Sequence, residues 1–230
     1  MLEDPPLLTI KAEFDRVPPD VPGKLAGCQT GHLIDAMFGR GAMDGTIKPV
    51  LERHPLFVGT AFPVWTGPSD NLAIAAAIAH AKPGDVIVAA SDSFIGTAVT
   101  GDIVALMAKN AGCAAIVIDG AVRDLSGLED VGLPVFACGL TPNSCVRSGP
   151  GKVGLPIVAG GVRVEAGDLV MGDRDGVVVV PKSEITRVVG VMSEIRAAEA
   201  ALIDRVKSER LTRFDWMDAL LKSDKVRYVD

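Results

Sequence analysis

A chain of 230 residues can bury one large core, and 48% hydrophobic residues with only 4% aromatics and 25 glycines suit close-packed α/β architecture rather than disorder. Its 29 acidic against 23 basic side chains, a formal charge of −6, disfavour a non-specific nucleic-acid binder but leave room for a small anion held by one local cation. The acidic, proline-broken start "MLEDPPLLTI" lacks signal-peptide character, and no apolar stretch reaches the roughly 20 residues of a bilayer span, so a cytoplasmic protein with no membrane partner is expected.

In chain order, residues 1–29 carry much of the proline and charge and read as an N-terminal arm. A short helix is expected from Thr30, as N-cap, to about Phe38. "LFVGTAFPVW" (56–65) has strand composition, with Pro63 marking an edge or a bulge. "SDNLAIAAAIAHA" (69–81) opens with capping residues and continues as a helix that Lys82-Pro83-Gly84 stops. A strand at 85–91, a helix at 101–112 and a strand at 114–118 form a βαβ unit, which implies parallel strands and a right-handed crossover. A short strand follows at 133–139.

The pattern changes after about residue 140. Residues 154–181 read as three or four short strands, with "EAGD" and "DRDG" as hairpin turns. From Lys182 to about Ser208 the composition is helical, and "FDWMDALL" (214–221) predicts a last amphipathic helix. The fold class is therefore α/β, with a βαβ half, a β-meander half and a C-terminal helical arm. The expected division is an arm (1–29), a main domain (30–208) and a C-terminal extension (209–230).

Several apparent motifs fail on physical context. "GPGKVG" (149–154) has the G-x-G-x-x-G form but follows a polar segment, and Pro150 and Pro156 prevent a helix from opening there. "GTAVTGD" (96–102) lacks the Lys-Ser/Thr of a P-loop, and no Gly-x-Ser-x-Gly elbow exists. His32, His54 and His80 lie far apart and read as structural or exposed. Cys28, Cys113, Cys138 and Cys145 show no metal-ligand spacing and read as buried free thiols. No lysine sits in the apolar context that Schiff-base chemistry needs.

One constellation remains. Gly101-Asp102 opens the 101–112 helix, and Arg123-Asp124 follows the 114–118 strand. Singly, Asp102 reads as a helix cap and Arg123-Asp124 as a solvated pair. Together they belong to loops delivered beyond the carboxyl ends of neighbouring parallel strands, where open α/β sheets bind ligands. The amides of Ile103 and Val104 would be free to hold a carboxylate. Arg123 can stabilise an oxyanion, and Asp124 can hold a hard divalent cation whose other ligands are water. That combination suits the enolate of a 2-oxo acid.

Gly101-Asp102, twenty residues, then Arg123-Asp124 within "DGAVRD", followed by Glu129 and Asp130, resembles the signature of class II pyruvate aldolases of the RraA-like family. These act on 4-hydroxy-4-methyl-2-oxoglutarate and 4-carboxy-4-hydroxy-2-oxoadipate. "SDNLAIAAAIAHAKPGDVIV" (69–88) and "GGVRVEAGDLVMGDRDGVVVVP" (160–181) resemble family blocks, and the likeness spans roughly residues 30–205.

The resemblance implies an RraA-like α/β/β sandwich, a homotrimer or hexamer with sites between subunits, and a Mg²⁺ or Mn²⁺ cofactor. It implies Asp124 as metal ligand, Arg123 on the pyruvyl oxygen, and the Ile103 and Val104 amides beside Gly101 on the pyruvyl carboxylate. Asp102 would position a proton-carrying water. Glu199 of a neighbouring subunit, or else Glu194, would complete the outer shell. The implied reaction is cleavage of a 4-hydroxy-2-oxo dicarboxylic acid to pyruvate and an oxo acid, accompanied by oxaloacetate decarboxylation. The alternative is a non-catalytic RraA-like protein that binds and inhibits a ribonuclease. Loop 91–99 and the tail after Ser208 depart from the family pattern. Arg147, Lys152 and Arg163 stand as candidates for a second substrate carboxylate.

Overall fold

Strands covered on both faces lose the alternation of a half-exposed sheet and read as continuous apolar runs. "DVIVAA" (85–90) and "AIVI" (115–118) are such runs, and every residue of both is buried. They form the middle of the sheet in a computed structural model that describes residues 4–229 other than Glu52 and His54. Two units divide between Met192 and Ser193.

The first unit begins with β1 (Leu8–Ile10), α1 (Val21–Lys24), α2 (Thr30–Ala36), β2 (Lys48–Pro49), β3 (Phe57–Trp65) and α3 (Leu72–His80). Next come β4 (Asp85–Ala90), β5 (Ala98–Thr100), α4 (Asp102–Asn110), β6 (Ala115–Ile118), β7 (Ala121–Val122) and α5 (Leu125–Val131). β8 (Val135–Ala137), β9 (Gly139–Leu140), β10 (Gly151–Val153), β11 (Ile157–Ala159), β12 (Val162–Val164), β13 (Leu169–Asp173) and β14 (Gly176–Val180) follow. The start of α6 (Ile185–Glu209) buries Ile185, Val188 and Met192.

β3, β4, β6 and β8 run parallel, so the βαβ expectation holds. β2 closes one edge antiparallel to β8. The other side of β3 is shared: β13 pairs antiparallel with Phe57 to Thr60, and β10 with Val64 and Trp65. Pro63, which its type alone would place at an edge, is thus in a central strand. It sits where one partner has ended and the next begins, and its carbonyl accepts the Gly154 N–H at 2.8 Å. No ladder donor is lost there.

The two-residue side-chain period sorts the core into two layers. Ile87, Ala89, Ile116 and Ile118 face one cluster with Ile74, Ala105 and Leu128 of the helices. Val86, Val88, Ala115 and Val117 face the other, with Ile157, Val164, Val177 and Val179 of the β hairpins. This is the α/β/β layering.

Local chemistry departs from the simple reading at three places. Gln29, not Thr30, is the N-cap of α2, because both the Thr30 N–H and its hydroxyl are drawn to Asp173 at 2.7 and 2.9 Å. "EAGD" (165–168) is a joint, not a hairpin: it links β12 and β13, which lie in different sheets, and Asp168 accepts the Glu165 and Lys182 N–H groups at 2.8 Å. The β11–β12 turn is Gly160-Gly161 instead, while "DRDG" does join β13 to β14.

The N-terminal segment contributes a strand rather than only irregular chain, since β1 pairs parallel with β10. Arg16 grips the fully buried Asp85 with two bonds of 2.8 and 2.9 Å, and the Phe14 ring lies 5.1 Å from Phe62. Breaking a buried pair of this kind costs about 3–5 kcal/mol, so residues 14–16 are firmly held. His32 is buried and its Nδ1 accepts the Gln29 N–H at 2.9 Å, a structural role; His80 is exposed at the end of α3, and His54 lies outside the described residues.

The second unit holds the rest of α6 and α7 (Asp215–Leu221), the expected last helix. Within it Arg205 meets Asp215 at 2.6 Å, and Phe214 stacks on Trp216. Among the described residues no helix is long and apolar enough to cross a membrane.

Candidate active site

Three main-sheet strands, β4, β6 and β8, each lead into a short strand, through residues 91–97, 119–120 and 138 respectively. These short strands, β5, β7 and β9, form a second, wholly parallel sheet in the order β5-β7-β9. The bend after β6 is Asp119-Gly120. The buried Asp119 carboxylate accepts the Ser91 N–H at 2.6 Å and the Ser91 hydroxyl at 3.1 Å, tying the ends of β4 and β6 together. A Cβ on Gly120 would lie 2.1 Å from Ser91 Oγ, so the bend is closed to any other residue.

Because β5 and β7 are parallel neighbours, the residues that follow them emerge side by side. The Arg123 N–H donates to Thr100 O at 3.0 Å. Gly101-Asp102 and Arg123-Asp124 therefore meet, with α4, β6 and β7 accounting for the residues between them. Both pairs line a cleft of about 250 Å³, together with Asn71, Ile103, Val104, Ser144 and Arg147.

Asp124 is the N-cap of α5 and lies in the left-handed region at φ 62°, ψ 48°. Aspartate tolerates this conformation better than most residues, but it still costs on the order of 1 kcal/mol, a strain that tends to persist where function needs it. Its Oδ2 accepts from Arg123 Nε at 3.1 Å, and Arg123 also donates to Ser144 Oγ. Three of the five guanidinium N–H groups make no protein hydrogen bond among the described residues.

The Gly101 backbone is extended, at φ −146° and ψ −166°, and any residue could adopt it. Its requirement is steric. A Cβ there would lie 2.3 Å from Asp124 Oδ2 and 3.2 Å from Arg123 Cγ. Gly101→Ala should displace the Asp124 carboxylate and lower any activity that depends on it about 100-fold, the usual penalty for misplacing a functional group by an ångström. Steady-state kinetics beside a thermal melt checks this, since little stability should be lost.

Gly127 does the same for Asp102: a Cβ on it would lie 2.4 Å from Asp102 Oδ2. Asp102 is the first residue of α4, with Gly101 as N-cap. Its Oδ1 accepts the Ile103 N–H at 2.7 Å, so that amide is engaged rather than free. The first helical bond runs from the Ala105 N–H to Gly101 O at 3.0 Å, which leaves the Val104 N–H without an intrahelical acceptor.

Among the described residues two buried side-chain polar atoms have no hydrogen-bond partner, Asn71 Oδ1 and Thr100 Oγ1, and both residues line this cleft. Buried unpartnered groups are costly and mark places where a ligand or water is wanted. Neither is legible in the sequence, because Asn71 carries only a capping signal and Thr100 lies in a strand too short to recognise. Of the candidate distal cations, Arg147 is in the cleft. Lys152 instead lies over the Trp65 ring, 5.5 Å from its centroid, and Arg163 pairs with Glu165 at 2.8 Å.

All four cysteines are free; Cys28 and Cys113 are buried, Cys138 and Cys145 half-buried. Burial pushes the Cys113 thiol up to about 12 and also raises Cys138 and Cys145, so Cys145 in the cleft is no ready thiolate. Glu129 and Asp130 are exposed on α5; Glu194 and Glu199 are exposed on α6 in the second unit. Among the described residues no three His, Cys, Asp or Glu side chains cluster as a metal cage.

Known proteins resemble this chain along most of its length. The RraA-like family model, described as Aldolase/RraA, matches residues 30–179. A Halalkalibacterium halodurans protein named "Putative 4-hydroxy-4-methyl-2-oxoglutarate aldolase" is 38% identical over 185 residues, 79% of this chain and 88% of that protein. An uncharacterized Pseudomonas syringae pv. tomato protein of known structure superposes with a TM-score of 0.75 at 28% identity, over 85% of this chain and 92% of that one. The RNA-processing inhibitor RraA from Thermus thermophilis superposes with a TM-score of 0.61 at 28% identity, over 67% of this chain and 93% of its own.

Proposed function

The chain belongs to the RraA-like family, and we propose that within it this protein is a divalent-metal-dependent pyruvate aldolase. Its substrate is a 4-hydroxy-2-oxo dicarboxylic acid of the 4-hydroxy-4-methyl-2-oxoglutarate type, and oxaloacetate decarboxylation accompanies the cleavage. The supporting observation is the meeting of Asp102, Arg123 and Asp124 at adjacent ends of parallel β5 and β7, in a cleft with two unpartnered buried polar atoms.

The donor set fits a hard cation. Asp124 Oδ1 makes no protein hydrogen bond among the described residues, and the carboxylate stands beside the space that Gly101 leaves open. One carboxylate with water ligands is an ordinary arrangement for Mg²⁺ or Mn²⁺. When bound, such an ion supplies a Lewis acid for the 2-oxo acid.

The chain's own groups do the rest. The Val104 N–H, at the positive end of α4, holds the C1 carboxylate. Free N–H groups of Arg123 donate to the C2 oxygen, where charge accumulates. The water held at Asp102 Oδ2 takes the 4-hydroxyl proton, the C4–O bond becomes the carbonyl of the departing oxo acid, the C3–C4 bond breaks, and its electron pair enters the C2–C3 enolate. Asp102 Oδ2 orients the water that carries a proton to C3, giving pyruvate. Oxaloacetate loses CO₂ across its own C3–C4 bond and passes through the same enolate. In the homotrimer or hexamer that this reading includes, Glu199 of a neighbouring subunit completes the proton path.

The likeness to an RNA-processing inhibitor favours one rival, a binding protein without turnover. Purified protein with Mg²⁺ or Mn²⁺ should release pyruvate from 4-hydroxy-4-methyl-2-oxoglutarate and from oxaloacetate, and a chelator should stop both. No release from either, with capture of a ribonuclease, would establish the rival.

A further inference from the structure

We infer that Arg147 selects substrates bearing a second carboxylate, an inference that rests on the aldolase reading above. The connector 143–148 is fixed along its length. Ala98 donates to Asn143 O at 2.9 Å, Asn71 N–H to Val146 O at 3.1 Å, and Val146 N–H to Ser69 O at 2.8 Å. Asp70 Oδ2 takes the Ser148 and Gly149 N–H groups at 2.5 and 2.9 Å. Bridges at Ser144 and Val146 show the segment to be extended.

Ser144 on this connector holds Arg123, the guanidinium of the enolate site. Arg147 stands three residues further along the same connector, and both guanidinium-bearing residues line the one cleft. The cleft therefore carries two cations. Asn71 is bonded to Val146 of this connector and lines the cleft too, and its buried, unpartnered Oδ1 can accept from the 4-hydroxyl of a bound substrate.

Arg147 is available for this work. Among the described residues no carboxylate pairs with it, although acidic residues outnumber basic ones in the chain. The nearest acid along the connector, Asp70, is committed to the N–H groups of Leu72, Ser148 and Gly149. A guanidinium left unpaired in a cleft is complementary to a planar carboxylate, which it can grip with two parallel bonds. A substrate lacking the group forgoes this pair of charge-assisted bonds and binds more weakly.

The test compares pyruvate release from 4-hydroxy-4-methyl-2-oxoglutarate and from 4-hydroxy-2-oxopentanoate, which forms the same enolate but has no second carboxylate. Wild type should prefer the diacid. In Arg147→Ala and Arg147→Gln, the ratio of the two kcat/KM values should fall about 10- to 100-fold, mostly through KM for the diacid. Arg147→Lys should restore part of the ratio, as a point charge without the fork. An unchanged ratio in active variants would overturn the role of Arg147 alone. Wild-type protein inert toward both substrates would overturn the aldolase reading and this inference with it.

Discussion

Asp124→Asn should lower pyruvate release about 1000-fold and leave a residual rate that no longer responds to Mg²⁺, Mn²⁺ or chelator. Asparagine has nearly the same shape, tolerates the left-handed backbone equally well, and its Oδ1 can still accept from Arg123. What disappears is the formal charge by which Asp124 is proposed to hold a hard cation. A bound divalent ion contributes several kcal/mol of charge stabilisation, and at 1.36 kcal/mol per factor of ten this gives the size of the loss. Titration calorimetry with Mn²⁺ supplies a readout independent of turnover: wild type should bind one ion per cleft and the variant none. Equal Mn²⁺ affinity in the two proteins would remove Asp124 as the metal ligand.

Arg123→Ala should reduce kcat by about 10²- to 10³-fold while KM moves much less, because in the proposed reaction the oxygen assigned to it carries full charge only as the C3–C4 bond breaks. The substitution also frees Asp124 Oδ2 and Ser144 Oγ from their bonds to the guanidinium. Arg123→Lys separates these effects. It keeps a cation but cannot bond Asp124, Ser144 and a substrate oxygen in one plane, so it should recover only part of the loss. Single-turnover kinetics with the diacid would show whether the bond-breaking step itself is slowed. A change confined to KM would assign Arg123 to ground-state binding instead.

The central strands were legible because burial on both faces writes itself into composition, as in "DVIVAA" and "AIVI". The second sheet was not, although it builds the site. β7 and β9 have two residues each and β5 three, too few to show a period, and each exists only through its neighbours. α5 was hidden by Gly127, which reads as a helix breaker; the glycine is there because Asp102 leaves no room for a Cβ. Thr30 lost its expected capping role to a contact with Asp173, distant in sequence.

The pairing of Asp102 with Arg123 and Asp124 could be read in advance because the topology rule for parallel strands fixes where successive loops emerge. Asn71, Thr100 and Arg147 could not be placed that way. Their positions depend on the connector 143–148 crossing from β5 to the start of α3, a long-range pairing with no local signature.

The most direct measurement of the enolate site needs no second substrate. Wild-type protein with Mg²⁺ in D₂O, given pyruvate alone, should exchange the methyl protons for deuterium, seen as loss of the methyl proton signal by NMR. That exchange requires proton removal at C3 and a stabilised C2 oxyanion, the two tasks assigned to Asp102 and to Arg123 with an ion on Asp124. It should vanish with chelator and in Asp124→Asn. Exchange no faster than in buffer, from folded protein that binds the metal, would contradict enolate chemistry at this cleft.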